Sequence, residues 1–164
     1  MGFGNIKIYN GGLKDWAKAG NKTVSADALP EYDGKFMNAD ELLKEIQVAE
    51  KANCLGADGS VLLTLLDLRT EHFLPTEHPI PDIHTTCPTI HYLLDDLIQP
   101  EARANIPQSG RVVSISETGN RDIFAMRYLY KFGYTNIVGL EFGMRGWIKL
   151  NHPIETQDSK SSIR

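Results

Sequence analysis

The sequence predicts an α/β fold with a mainly parallel central sheet and helices on both of its faces. Two apolar runs of strand length, residues 61–68 and 112–115, lie between segments whose apolar residues recur at helical spacing. Strands that alternate with helices in this way usually form a parallel sheet. The chain has 164 residues, of which 41% are hydrophobic, so it is long enough for one domain with a buried core.

The N-terminal segment resembles a later part of the chain. Residues 2–16 align with residues 133–147 without a gap, and five of fifteen positions are identical. We interpret this as a unit of about 131 residues that ends in a strand, a glycine-containing turn and a short helix with a tryptophan. Residues 1–20 are then the C-terminal tail of a preceding copy. The alternative is that two Gly-rich turns are unrelated.

The remaining boundaries follow from changes in periodicity. Residues 21–34 have neither helical nor strand spacing and contain Pro and Gly, so they are predicted to be a linker. The main domain covers residues 35–150 and begins with a helix, because Asn38 precedes two acidic residues and an apolar stripe. Residues 151–164 are predicted to form a C-terminal tail.

The elements of the main domain follow in order. The apolar run of residues 61–68 is nearly continuous and therefore predicts a strand covered on both faces. Residues 89–98 predict a helix, and residues 112–115 form the second central strand. A buried helix over residues 123–132 and a short strand over residues 136–140 complete the unit.

The loop between the second strand and its helix is the candidate binding site. Such a loop directs backbone N–H groups towards one point, and the positive end of the helix dipole adds to them. Glu117 opposes anion binding unless its side chain turns outward, and Arg121 either contacts the ligand or pairs with Glu117 or Asp122. We predict that a small sulfate- or phosphate-like anion binds the loop residues Ser116, Glu117, Thr118, Gly119, Asn120 and Arg121.

Residues 35–150 resemble rhodanese-like domains, which have the sulfurtransferase fold. In residues 113–147, a strand, a six-residue loop ending in Gly-x-Arg, a helix, Gly-Tyr-x-Asn and Gly-x-x-x-Trp follow one another in the order of that family. Residues 65–69 are similar to its Asp-x-Arg strand end, and residues 77–86 are loosely similar to its His-Ile-Pro-Gly-Ala stretch. Residues 2–20 resemble the last turn and helix of a preceding tandem unit.

The resemblance implies that a cysteine at the first loop position carries sulfur as a persulfide, but this chain has Ser116 there. A hydroxyl stays protonated near neutral pH unless a base assists it, and it forms no stable persulfide equivalent. We therefore expect a catalytically inactive domain that binds an anion or a partner protein, or supports an active sister rhodanese-like domain. The resemblance adds thiosulfate to the sulfate- and phosphate-like anions that the loop would bind. Ser116 would alternatively only cap the following helix. The competing hypothesis is a thiosulfate or persulfide sulfurtransferase that uses another cysteine or the missing repeat.

Asp67 and Arg69 follow the first central strand, where we expect an ion pair of Asp67 with an arginine to brace the site rather than to catalyse. Cys87 would come near the loop if residues 83–86 form a strand that ends beside it. The simpler interpretation makes Cys87 and Cys54 small buried side chains. One disulfide between them is possible, and the sequence leaves their redox role and the compartment open.

Other site types are less consistent with the sequence. The spacing of His72, His78, His84 and His91 fits neither short zinc-ligand pairs nor an i, i+4 helical pair, so no metal is predicted. The flanks of Ser116 lack the Gly-x-Ser-x-Gly pattern of serine hydrolases. No cofactor is predicted.

The charge distribution and hydropathy also restrict the partners. The net charge is −4 and the basic residues are scattered, which argues against nucleic acid and anionic membranes as partners. No apolar run approaches the roughly 20 residues of a membrane span, and the N-terminus lacks a signal-peptide layout. We expect a soluble chain without membrane association.

Overall fold

A five-stranded parallel sheet forms the centre of the domain. The computed structural model describes residues 4, 7–24, 29–75 and 78–157. From one edge of the sheet to the other, the strands are β1 (Phe36–Met37), β6 (Ile137–Leu140), β5 (Arg111–Ile115), β2 (Leu63–Asp67) and β4 (Thr89–His91). A separate antiparallel pair consists of β3 (Ile80–Ile83) and β7 (Ile154–Gln157).

The helices are short, and within the described ranges none is long and apolar enough to cross a bilayer. Short 3-10 turns cover Thr70–Phe73 and Leu94–Ile98. The α-helices are α1 (Gly12–Lys18), α2 (Ala39–Lys51), α3 (Pro100–Ala104), α4 (Asp122–Tyr130) and α5 (Gly143–Lys149).

Each face of the sheet has its own apolar core. On one face, side chains of α2 and α5 pack against the strands, with Leu42 and Trp147 fully buried. On the other face, α4 and the turn Leu94–Ile98 supply buried residues such as Met126 and Leu97. Each fully buried large apolar side chain stabilises the fold by about 1.5–3 kcal/mol. The predicted α/β class with helices on both faces of a parallel sheet is confirmed.

The start of α2 is fixed by a capping box. The side chain of Asn38 accepts a hydrogen bond from the N–H of Glu41 at 2.9 Å, and the carboxylate of Glu41 accepts one from the N–H of Asn38 at 3.0 Å. Two N–H groups that have no partner inside the helix are thereby satisfied. Removal of such a cap costs about 1 kcal/mol.

The helix predicted over residues 89–98 is wrong. Thr89–His91 is instead the edge strand β4, which pairs in parallel with β2, and Tyr92 donates its N–H to the carbonyl of Asp67 at 3.0 Å. Only Leu94–Ile98 is helical, as a 3-10 turn. The apolar spacing satisfied a helical pattern, but the backbone bonds to β2 and the β-branched pair at 89 and 90 favour a strand.

The strand considered for residues 83–86 is also displaced, because β3 covers Ile80–Ile83. It pairs with β7, which lies in the predicted C-terminal tail. Residues of the predicted linker contact the domain as well. Arg127 of α4 donates to the carbonyl of Pro30 at 2.8 Å, and Tyr32 stacks on Tyr130.

The two cysteines of the chain form a disulfide, Cys54–Cys87, with a Cα–Cα distance of 5.3 Å. Both residues are buried in the core on the α2 face. The expected burial of both side chains is therefore confirmed, and the disulfide that the sequence left possible forms, so Cys87 is not a free thiol beside the loop. The bond connects the segment after α2 to the segment just before β4, so it closes a loop across the sheet edge.

Candidate functional site

The loop of residues 116–121 lies at the carboxyl end of β5, the strand between β2 and β6. Ligands of open parallel sheets bind outside the carboxyl ends of the strands. Ser116 and Gly119 are buried, whereas Glu117, Asn120 and Arg121 are exposed. The exposed part of the loop is therefore accessible to a ligand, while its first residue belongs to the interior.

The N-terminus of α5 holds the loop in place. The N–H of Met144 donates to the carbonyl of Ser116 at 2.9 Å, and the N–H of Arg145 donates to the carbonyl of Glu117 at 3.0 Å. Gly143 has φ +56°, and a Cβ there would lie 2.0 Å from the carbonyl oxygen of Ser116. Only glycine allows this approach without displacing the loop.

The hydroxyl of Ser116 braces the loop from within. Its Oγ accepts a hydrogen bond from the N–H of Gly119 at 3.1 Å, and Ser116 is 2% exposed. The first helical residue of α4 is Asp122, and its N-cap is Arg121, which makes no side-chain capping bond. The alternative that Ser116 caps this helix is therefore wrong.

Four N–H groups of the loop point to no acceptor among the residues that the structure describes: those of Glu117, Thr118, Asn120 and Arg121.

The side chain of Arg121 also has no hydrogen bond or ion pair within that part of the chain, so the local pairing considered from the sequence does not form there. Glu117 instead lies 3.5 Å from Arg145 of α5. Its charge is therefore partly offset from outside the loop.

Asp122 places a titratable group in the interior next to the loop. It is fully buried, and Ser114 Oγ donates to its Oδ1 at 2.9 Å. Burial raises the pKa of Asp122 to about 7, although Ser114 and the nearby hydroxyl and N–H of Ser116 act in the opposite direction. The negative charge of Asp67 adds to the rise. Asp122 is therefore only partly ionised near neutral pH.

Sequence reasoning missed the role of Asp122. An acid in the first turn of a helix usually indicates a solvated side chain that compensates the helix dipole. The alternation of β5 gives the better signal, because Ser114 faces α4 and supplies a hydroxyl for a buried carboxyl group.

A second polar cluster follows β2. The expected ion pair of Asp67 with an arginine forms, and its partner is Arg69, with Nη2 2.6 Å from Asp67 Oδ2. The same guanidinium donates to Asp82 of β3 and to the carbonyl of Pro81. Asp67, Arg69 and Asp82 are all buried, so Arg69 connects the end of β2 to β3.

His72 supplies a second positive charge to this cluster. Its Nε2 lies 3.2 Å from both Asp67 Oδ2 and Asp82 Oδ1. Burial acts to lower the pKa of His72, but the hydrogen bonds to Asp67 and Asp82 outweigh it and raise the pKa to about 9. Burial likewise acts to raise the pKa of Asp67, but hydrogen bonds from His72 and Arg69 lower it to about 2. Two carboxylates therefore face two cations at neutral pH.

The histidine spacing did not predict that His72 and His91 converge. Parallel pairing places His91 beside Asp67, and the two imidazole rings lie 4.1 Å apart between centroids. Together with Asp67 and Asp82, they bring four possible metal ligands within 4.8 Å of one another. Imidazole and carboxylate suit divalent ions such as zinc. Arg69 and the proton on His72 already neutralise the two carboxylates, so a cation would have to replace that proton.

The other two of the four histidines that were considered as zinc ligands lie outside this cluster. His84 is exposed and pairs with Glu155 of β7 at 3.0 Å, and His78 does not contribute a ligand atom to it. His91 Nε2 and Asp82 Oδ2 face each other at 3.9 Å, and each is buried without a hydrogen-bond partner among the described residues. Burial and the charge of His72 lower the pKa of His91.

Solved structures share this arrangement of sheet and helices. A rhodanese-related protein from Thermoplasma volcanium superimposes with a TM-score of 0.52 at 22% identity, over 74% of this chain and 97% of that one. The rhodanese-like domain of a protein from Anabaena sp. gives 0.54 at 16% identity, over 79% and 85%. The fold is rhodanese-like. A protein from Lactobacillus plantarum gives 0.55 at 18% identity, over 74% and 88%.

No protein-family model and no curated protein matches the sequence. At identities this low, the similar structures establish the fold and do not establish an activity.

Proposed function

We propose that this rhodanese-like domain is non-catalytic and binds a small oxyanion in the loop of residues 116–121. The observation that supports this most directly is the set of four N–H groups, at residues 117, 118, 120 and 121, that have no acceptor within the described ranges. Backbone N–H groups that converge in a loop before a helix bind phosphate-like anions. The exposed guanidinium of Arg121 adds a positive charge at the end of the same loop.

The absence of a nucleophile supports the non-catalytic part of the proposal. Sulfur transfer through a covalent carrier requires a thiolate, and Ser116 offers a buried hydroxyl that already accepts a hydrogen bond from Gly119. Cys54 and Cys87 are bonded to each other. A sulfurtransferase that uses Cys87 would first need this disulfide to be reduced.

The binding test is an NMR titration of the 15N-labelled chain with thiosulfate, sulfate and phosphate in turn. We expect the amide signals of residues 117–121 to shift together and to saturate. Arg121→Gln should weaken the binding several-fold, because it removes a charge next to the anion. Arg111→Gln is the matched control, because Arg111 lies at the amino end of the same strand, away from the loop, and pairs with Glu45.

Two results would contradict anion binding. One is that these amides do not move at the highest anion concentration, and the other is that Arg111→Gln weakens the shifts as much as Arg121→Gln.

The catalytic test is intact-mass analysis after incubation with thiosulfate, together with a thiosulfate-to-cyanide assay. We expect neither added sulfur nor thiocyanate from the native chain. The thiolate of Ser116→Cys should attack the sulfane sulfur of thiosulfate, so that the S–S bond of thiosulfate breaks, sulfite leaves and a persulfide remains, because the loop backbone that would stabilise the thiolate is retained. Sulfur bound to Cys87 after reduction of the native chain would support the competing sulfurtransferase hypothesis instead.

A further inference from the structure

Helices α1 and α5 begin in the same way, although α1 is far from α5 in sequence. Each has seven residues, follows a residue with positive φ (Gly11 at 105° and Phe142 at 59°), and starts with a left-handed glycine (Gly12 at 59° and Gly143 at 56°). Positive φ is uncommon for residues other than glycine, and the other tandem pair among the described residues, Asn53 and Cys54, is not followed by a helix. The internal sequence repeat therefore corresponds to a repeated local structure.

The two helices also end in the same way. Trp147 Nε1 donates to the carbonyl of Pro153 at 2.9 Å, and Trp16 Nε1 donates to the carbonyl of Lys22 at 3.0 Å. After each tryptophan, the fifth residue donates its N–H to the tryptophan carbonyl, at 3.2 Å after Trp16 and at 3.3 Å after Trp147. The repeated structure therefore extends six residues beyond the tryptophan, farther than the sequence similarity.

Burial separates the two copies. In α5, Met144 and Trp147 are fully buried against the sheet, whereas α1 has no buried residue. The equivalent residues Leu13 and Trp16 are 72% and 40% exposed. Among the described residues, the ring of Tyr9 meets Trp16 edge-on, but most of Leu13 and much of Trp16 stay exposed. The equivalent face of α5 shows that a rhodanese-like core would cover them.

The glycine at the start of each helix indicates the same partner. The carbonyl oxygen of Ser116 occupies the space next to Gly143, and α5 donates two N–H groups to the loop. Gly12 has nothing within 4 Å of its Cβ position, and among the described residues Leu13 and Lys14 donate their N–H groups to no backbone carbonyl. The left-handed φ of Gly12 favours glycine, but no described residue fills the space next to it, as a loop like that of residues 116–121 would.

We infer that α1 is the closing helix of a second rhodanese-like unit, which lies before this domain in the same polypeptide. Leu13 and Trp16 pack into the core of that unit, and its strand-to-helix loop packs against Gly12. Residues 23–34 then connect the two units. The inference does not depend on anion binding by the loop of residues 116–121.

The first test exchanges the two copies within this chain. Residues 141–153 are replaced by residues 10–22, so that Gly12, Leu13 and Trp16 take the places of Gly143, Met144 and Trp147. We expect cooperative thermal unfolding with a midpoint within about 10 °C of the native chain, a loss smaller than removal of one core side chain would cause. The control is the same exchange in which the inserted copy of Trp16, at position 147, is replaced by alanine. We expect this control to lose cooperative unfolding. If both exchanged chains fail to fold, α1 is not an equivalent closing helix.

The second test extends the reading frame upstream of Met1 and compares the longer polypeptide with this chain. With 5-fluorotryptophan, 19F NMR separates the two tryptophans, and Trp16→Phe assigns the signals. We expect Trp16 to be shielded from a soluble paramagnetic quencher several-fold better in the longer polypeptide, and Gly12→Ala to lower the unfolding midpoint more there than in this chain. An in-frame stop codon close upstream, or equal quenching of Trp16 in both proteins, would overturn the inference.

Discussion

The carbonyl oxygen of Ser116 lies only 2.0 Å from the position that a Cβ on Gly143 would occupy, so a larger residue would clash with it. This contact joins the candidate binding loop to the N-terminus of α5. The loop therefore has its shape before any ligand arrives, because two backbone hydrogen bonds and one glycine fix it against a buried helix. Preorganisation of this kind lowers the entropic cost of binding.

Gly143→Ala should therefore destabilise the domain and distort the loop. The left-handed conformation alone costs an alanine about 1–2 kcal/mol, and the clash with a backbone oxygen adds to that cost, so we expect a loss of at least about 2 kcal/mol. The measurement is urea unfolding. Gly12→Ala is the matched control, because its φ is the same but its Cβ would meet nothing. Equal losses from the two variants would contradict the role assigned to the contact.

Asp122→Asn should stabilise the domain at alkaline pH. The pKa of Asp122 is about 7 in the folded state and near 4 in the unfolded state, so the folded protein binds the extra proton between these values. Stability that depends on this proton is lost as the pH rises from about 4 to 7. We expect the variant to be more stable by a few kcal/mol at pH 8 and nearly unchanged at pH 4, as measured by denaturant unfolding at both values.

The same variant tests the charge near the loop. Ionised Asp122 opposes an anion in the loop of residues 116–121, so sulfate affinity of the native chain should fall as the pH rises through 7. Asp122→Asn should remove most of that fall. An affinity with the same pH dependence in both proteins would show that another group is responsible.

His72 should make the domain less stable at alkaline pH. Its pKa is raised to about 9, so its contribution is complete below about 6.5 and is lost as the pH rises to 9. We expect a decrease of about 2–3 kcal/mol over that interval in native protein, and a smaller decrease in His72→Gln. His84→Gln is the control, because its partner Glu155 lies in the separate sheet and both side chains are exposed.

Reduction of the disulfide should lower the stability without unfolding the sheet. The bond Cys54–Cys87 closes a loop with a sequence separation of 33, for which chain entropy gives about 3–4 kcal/mol. We expect thermal unfolding with and without a reductant to differ accordingly, and Cys54→Ala with Cys87→Ala to unfold like the reduced chain. An unchanged midpoint after verified reduction would contradict the entropic argument.

Much of the fold could be predicted from local patterns. The continuous apolar run predicted β2, and the N-cap residue followed by an apolar stripe predicted α2. Both patterns are visible in the sequence because burial and capping act over a few residues. Thr89–His91 was misassigned as helical because its strand depends on hydrogen bonds to β2, which lies more than twenty residues earlier. Non-local pairing of this kind leaves little trace in a single sequence.

The sequence likewise predicted the loop of the candidate site but not the side chains that come together beside it. Gly119 and the apolar strand before it identified the loop, but the convergence of His72 and His91 required the parallel register of β2 and β4. The pairing of Cys54 with Cys87 depended on the same edge strand. Asp122 was missed because its burial depends on the packing of α4 on the sheet rather than on its neighbours in sequence.

The antiparallel pair β3–β7 affects how the domain can be shortened. The domain predicted from the sequence ends at residue 150, yet β7 lies beyond that point and also follows the Pro153 carbonyl that binds Trp147. A fragment that ended at 150 would leave β3 with a row of unsatisfied N–H and C=O groups, which recruits strands from other molecules. Such a fragment should aggregate, whereas a fragment that retains residues 151–157 keeps that edge closed.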